Sequence, residues 1–209
     1  VRNKQNKMKK IILIALVFFS INLNAQLCGN RYQAEIFDSV VVNTVAYGLA
    51  AGQTLEMDIY TPDSDTETER PLIIFCFGGS FIGGSRTSPE LVAFATSFAK
   101  RGYVCASIDY RLASSALQLL QEENMVKVVF GAVQDGKAAI RYFRKDARNG
   151  NALGIDSNQV FIGGTSAGGI LGINLAYVDD VTKLEPNWQT WAAEIGGIEG
   201  NSGNPGYCS

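Results

Sequence analysis

The stretch "VFIGGTSAGG", Val160 to Gly169, sets one serine among four glycines where an apolar run gives way to helix-forming residues. Gly164 and Gly168 each stand two residues from Ser166, so "GTSAG" matches G-x-S-x-G, the mark of a sharp strand-to-helix bend with a serine at its tip. Such a reversal brings two backbones together beside the serine, and side chains at the flanking positions would collide. The serine itself must take a strained conformation, at a cost on the order of 1–3 kcal/mol. In return its hydroxyl projects beyond the carboxyl end of a sheet, where ligands gather in open α/β folds. The Ala167 N–H, at the positive end of the following helix, then faces whatever negative charge develops there. Two other glycine-rich readings fail on specific residues: a phosphate-cradling loop needs a lysine after its last glycine, and a dinucleotide fingerprint needs glycine where Thr165 stands.

Working outward, "IDSNQVFIGG" predicts a strand before the bend and "AGGILGINLAYV" a helix after it. Upstream, Ser39–Gly48 and Gln53–Pro62 are rich in β-branched and aromatic residues around a "GLAAG" link, and predict an antiparallel pair. Polar Asp63–Arg70 crosses the surface. After Pro71 the run "LIIFCF" predicts a strand covered on both faces, ending in "GGSFIGGS". A helix is expected over Pro89–Lys100, a buried strand over Tyr103–Arg111 and a helix over Val133–Arg148; Ala113–Gly131 carries only a weak helical pattern. In the last helix Ile140, Phe143 and Ala147 form an apolar stripe, and Lys137, Arg141, Arg144 and Arg148 a basic one that reads as a solvated face. Alternating strands and helices after an antiparallel start define an α/β fold, a mostly parallel sheet with helices on both faces.

Composition narrows the function. The 209 residues are 46% apolar and 18% charged with a net charge of −2, which suits one ordinary domain and no nucleic-acid partner. There is no histidine. No cysteine cluster has metal spacing, so neither a metal nor a cofactor is expected. At the N-terminus Lys7, Lys9 and Lys10 precede the apolar run Ile11–Phe19, which is far short of the roughly 20 residues of a membrane span. It fits the core of a secretory signal, with Ala25 at the cleavage site and Gln26 opening the mature chain. Met8 reads as the true start, which makes residues 1–7 upstream sequence. Export to the periplasm or medium is expected, with no stable membrane span after cleavage. Cys28, Cys76, Cys105 and Cys208 would then meet an oxidising compartment, where their pairing stays open; Cys76 and Cys105 lie in strand-like runs and read as small buried hydrophobes.

The second motif, "FCFGGSFIGGS" (Phe75–Ser85), closes the preceding long strand, where small residues let backbone N–H groups approach a substrate. With "SIDYRL" (Ser107–Leu112) and the Gln134–Asp156 segment, in this order and spacing, the chain from about Gln53 to Tyr177 resembles the carboxylesterase and lipase branch of the α/β-hydrolase fold. That branch carries an H-G-G-G-type loop after its third strand and G-x-S-x-G after its fifth. The resemblance implies Ser166 as nucleophile, an oxyanion hole from Gly78, Gly79, Ser80 and Ala167, and Gly164 and Gly168 as elbow glycines. The implied partner is a small-molecule or carbohydrate-linked carboxylic ester. Phe77 departs from the family's histidine and Ser80 from its third glycine. Asp109, Tyr110 and Arg111 are expected to form a structural polar cluster, and Asp135 to sit near a helix start, favourably placed for the dipole.

The larger departure is that the acid and histidine of the triad, which follow the serine in this family, are absent. Residues 26–209 are therefore expected to be the N-terminal two-thirds or so of a single α/β-hydrolase domain, inactive alone, with Ile198–Ser209 leading toward the next strand. Two other readings stay open: a non-catalytic relative that only binds in its crevice, and a peptidase of the same fold.

Overall fold

The computed structural model describes residues 29–209. The signal segment, its cleavage site and Cys28 lie outside them. Five strands form one sheet in the order β1-β2-β4-β3-β5, namely β1 Val40–Ala50, β2 Gln53–Pro62, β3 Arg70–Cys76, β4 Val104–Ile108 and β5 Ile155–Gly164. β1 pairs antiparallel with β2, and β2 with β4, while β3 runs parallel to both β4 and β5. The expected architecture is thus present, including the antiparallel start.

The hairpin is tighter than "GLAAG" suggests. Ala51 and Gly52 both take positive φ, as a two-residue turn matched to strand twist requires. Gly48 instead lies inside β1 at a register shift. Every residue of β3 is buried, as befits a central strand covered on both faces. Helix α1 (Pro89–Ala99) packs Phe94 and Phe98 against Phe75 of β3. Cys76 and Cys105 are buried free thiols within the sheet, and burial pushes Cys76 up to about 12.

Two expectations about the long segment need correction. Helix α2 runs unbroken over Glu122–Arg148, 27 residues, so it starts well before Val133; only Ala116–Leu120 forms a separate 3-10 turn. The pattern of its first part is weak because Gly131 interrupts the apolar period, yet Gly131, like Gly136 further on, is buried. A side chain at Gly136 would strike Leu175 of helix α3 (Ala167–Tyr177), so helix packing decides that residue.

The basic stripe is also not a solvated face: Lys137 and Arg141 are buried, whereas Arg144 is half-buried and Arg148 exposed. The reason lies in the C-terminal segment, which follows helix α4 (Pro186–Glu194) and folds back over α2 and β1. Glu199 pairs with Lys137 and with Arg141 (3.5 Å), and Arg141 Nε donates to the Gly203 carbonyl at 2.9 Å. Ser202 closes the clasp, its carbonyl accepting from the Leu49 N–H at 2.6 Å and its hydroxyl donating to Asp135 at 2.7 Å. Ile198–Ser209 therefore contains no strand and covers the helix.

This clasp makes a pH prediction. Burial would raise the Glu199 pKa, but hydrogen bonds from Lys137 and Ser209 and the charges of Lys137 and Arg141 outweigh it and hold the group below 4.5. A carboxylate lowered on folding gives stability that is full above its unfolded value and lost as pH falls through its folded one. Thermal melts of Glu199→Gln should therefore lie below wild type near pH 7 and converge with it well below pH 4.5, once the lowered folded value is passed. A gap of the same size at both would contradict the clasp.

Candidate active site

The serine bend is built as its sequence dictates. Ser166 is the N-cap of α3 with φ 49° and ψ −115°, a conformation that L-residues rarely hold. Its hydroxyl is exposed at the carboxyl end of β5, next to parallel β3. Gly164 and Gly168 meet back to back: a Cβ on Gly164 would collide with the Gly168 backbone and lie 2.8 Å from the Cys76 carbonyl oxygen. A Cβ on Gly168 would collide with Cys76 and lie 2.6 Å from the Phe77 oxygen. Thus the helix start, the end of β5 and the end of β3 share one backbone contact.

That contact brings the second motif to the first. A Cβ on Gly78 would lie 3.3 Å from Ser166 Cβ, so the loop after β3 touches the serine directly. Beyond it Gly79, Ser80 and Phe81 all take positive φ, and Gly79 O accepts from Ile82 N at 2.9 Å. No described backbone carbonyl accepts from the Gly79, Ser80 or Ala167 N–H. Three amide N–H groups on the elements that meet at Ser166 are therefore left without a backbone acceptor, one of them at a helix N-terminus, where partial positive charge collects. Such an arrangement can stabilise an oxyanion attached to the Ser166 oxygen.

Phe77, the departure from the family pattern, is buried and held from below. Its ring stacks on Tyr110 at 4.2 Å and 13°, and the Tyr110 hydroxyl donates to the Phe77 carbonyl at 2.6 Å. One tyrosine thus fixes both the side chain and the backbone at the root of the loop. Asp109 anchors the far end of the same loop through its ion pair with Arg86, whose N–H it also accepts at 2.8 Å.

Arg111 completes the expected polar cluster. Its guanidinium pairs with Asp135 at 2.9 Å and donates to the Gly131 carbonyl and Gln134 at 2.8 Å. Asp135 itself sits mid-way along α2, not near its start, so the dipole reading is corrected: the pair with Arg111 accounts for the residue. Burial pushes Asp135 above the usual carboxylate range despite Arg111 and Ser202. Both its partners lie far from it in the sequence, which is why neither could be foreseen. Among the described residues no group of three or more histidine, cysteine or carboxylate side chains could hold a metal, and no helix is long and apolar enough to cross a membrane.

A mixed sheet with a serine elbow after its fifth strand and a glycine loop after its third defines the class: an α/β-hydrolase. Residues 57–196 match the BD-FAE family, and the chain belongs to it. Esterase LipC of Mycobacterium tuberculosis is 30% identical over 145 residues, covering 69% of this chain and 31% of that protein. Among solved structures, a thermophilic esterase of Thermogutta terrifontis, Est2, superposes with a TM-score of 0.51 at 32% identity, over 64% of this chain and 43% of that one. Its butyrate-bound form gives 0.50 at 30% identity over 64% and 43%, and its paraoxon-phosphorylated form 0.50 at 28% over 64% and 46%. The chain thus spans less than half the length of these relatives.

The backbone geometry separates two kinds of strain. Gly168→Ala should destabilise by at least the roughly 1–3 kcal/mol of an overpacked core, because the colliding atoms are backbone and cannot move aside. Ser166→Ala keeps its Cβ at φ 49° and should leave stability almost unchanged, whereas Ser166→Gly should gain about 1 kcal/mol by relieving the left-handed residue. Urea melts of the three variants check this. A destabilised Ser166→Gly would contradict the strained bend.

Proposed function

We propose that the protein, as its intact gene encodes it, is an exported serine hydrolase that cleaves carboxylic esters through an acyl-enzyme on Ser166. In this reading a base takes the Ser166 proton as its oxygen bonds to the ester carbonyl carbon. The carbonyl electrons move onto oxygen, where the Gly79, Ser80 and Ala167 amides hold the charge. Collapse of the tetrahedral species expels the alcohol, which takes the proton from the base; water then repeats the sequence and frees the acid. The base is a histidine outside these residues, which contain none. Residues 26–209 supply the nucleophile and oxyanion half of the site, and the segment ending at Ala25 directs export.

The observation that carries this reading is the contact between Gly78 and Ser166, two motifs far apart in sequence. A glycine-rich turn with an incidental serine gives no reason for a strained residue, a second strained loop and unaccepted amides to converge. Ester rather than peptide cleavage is supported by the names of LipC and Est2, both esterases.

In the protein expressed from the intact gene, short p-nitrophenyl esters should be hydrolysed, and Ser166→Ala should lower turnover by about 10⁴ to 10⁶ with the fold intact. A folded Ser166→Ala protein that retained near-normal esterase activity would overturn the assignment. A folded, inert wild type would favour a binding protein.

A further inference from the structure

Beside the serine elbow lies a cavity of about 380 Å³, within the range of small-molecule sites. Its walls include Ser80 and Phe81 from the loop after β3, Val129 and Phe130 from α2, Ile170 from α3 and Trp188 from α4. No charged side chain lines it. The indole N–H of Trp188 is already committed to Glu122 at 2.9 Å, so this wall offers ring surface and no free donor. Asn174, at the edge, donates to the Ile170 carbonyl at 2.9 Å. The cavity is therefore an apolar pocket with little to recognise a charge.

Its position ties it to the reacting atoms. Ser80 belongs both to the cavity wall and to the loop whose Gly78 touches Ser166. On the other side Ile170 stands one helical turn after Ser166, and its N–H donates to the Ser166 carbonyl at 3.1 Å. The cavity thus opens between the loop and the helix that flank Ser166. At the cavity Met125 and Ile170 stay 41% and 49% exposed, and Leu117 and Leu120, on the same 3-10 turn as the lining residue Leu119, stay 76% and 78% exposed. Within the wall Val126 and Phe130 belong to a separate small core with Ala192, while Phe81 belongs to the main core, so the cavity lies between two packed clusters.

We infer that this cavity selects the ester, and that it takes an apolar group of about eight to twelve heavy atoms, scaled against roughly 30 Å³ of liquid volume per water. The inference rests on Ser166 as the reacting serine and names the ester it acts on. Either the acyl chain or the alcohol of the ester could be that group, and the two are separable by experiment.

The test has a binding arm and a turnover arm, both in the protein from the intact gene. In Ser166→Ala, octanoate should raise the melting temperature where equimolar acetate does not, and Val129→Trp, which fills the cavity, should abolish the rise. This arm involves no chemistry, so octanoate binding would stand even if Ser166 proved not to be the nucleophile. In the turnover arm Val129→Trp should lower the ratio of p-nitrophenyl octanoate to p-nitrophenyl acetate hydrolysis at least tenfold if the acyl chain occupies the cavity. It should lower the ratio of octyl acetate to ethyl acetate hydrolysis by as much if the alcohol does. Val92→Trp, on the outer surface of α1, should change none of these. Leu119→Trp, on the 3-10 turn, repeats the block should Val129→Trp fail to fold. Equal thermal shifts for octanoate and acetate, or both ratios unchanged in a folded cavity-filling variant, would overturn the inference.

Discussion

The site depends on a backbone contact that only glycine allows. At Gly164 and Gly168 the end of β5 and the start of α3 press against each other and against Cys76 and Phe77 at the end of β3. No hydrogen bond or ion pair could replace this contact, because it fixes how closely two strands and a helix converge. From it follow the exposed Ser166 hydroxyl, the strained backbone beneath it and the adjacency of the loop that begins at Gly78. A methyl group at either glycine separates the elements and removes all of these together.

Around this contact the supporting interactions are graded by burial. Tyr110 holds the root of the loop from a fully packed position, through a stacked ring and one hydrogen bond. Arg111 and Asp135 form a largely buried ion pair with additional partners in Gly131, Gln134 and Ser202. Removing one member of such a pair leaves an uncompensated charge, typically at a cost of about 3–5 kcal/mol. Arg86 and Asp109 stay partly exposed and position the outer end of the loop with less at stake.

The sequence made the local features legible. "GTSAG" and "FGGS" each encode a tight bend whose requirements lie within a few residues, and the strands announce themselves by composition. What it concealed were features set by distant partners. Lys137 and Arg141 look solvated until Glu199, Ser202 and Gly203 fold back over them. Asp135 looks like a helix-start residue because the helical period before Val133 is broken by Gly131, whose carbonyl accepts from the Arg111 guanidinium. The cavity was hidden for the same reason, since Phe81, Phe130, Ile170 and Trp188 meet only in the folded chain. One signal was available: Met125 to Val129 and Val126 to Phe130 keep the i, i+4 spacing of a single helical face.

The central proposal is that Ser166 is the reacting serine of the intact protein, with the Gly79, Ser80 and Ala167 amides as its oxyanion donors. Est2 of Thermogutta terrifontis, a structural relative, has been captured phosphorylated by paraoxon. The direct measurement is therefore peptide mass mapping of the protein from the intact gene after exposure to paraoxon. The account predicts one diethyl phosphate per chain, carried by the peptide containing Ser166 and lost in Ser166→Ala. Full modification of another serine or tyrosine, with Ser166 unmodified, would contradict it.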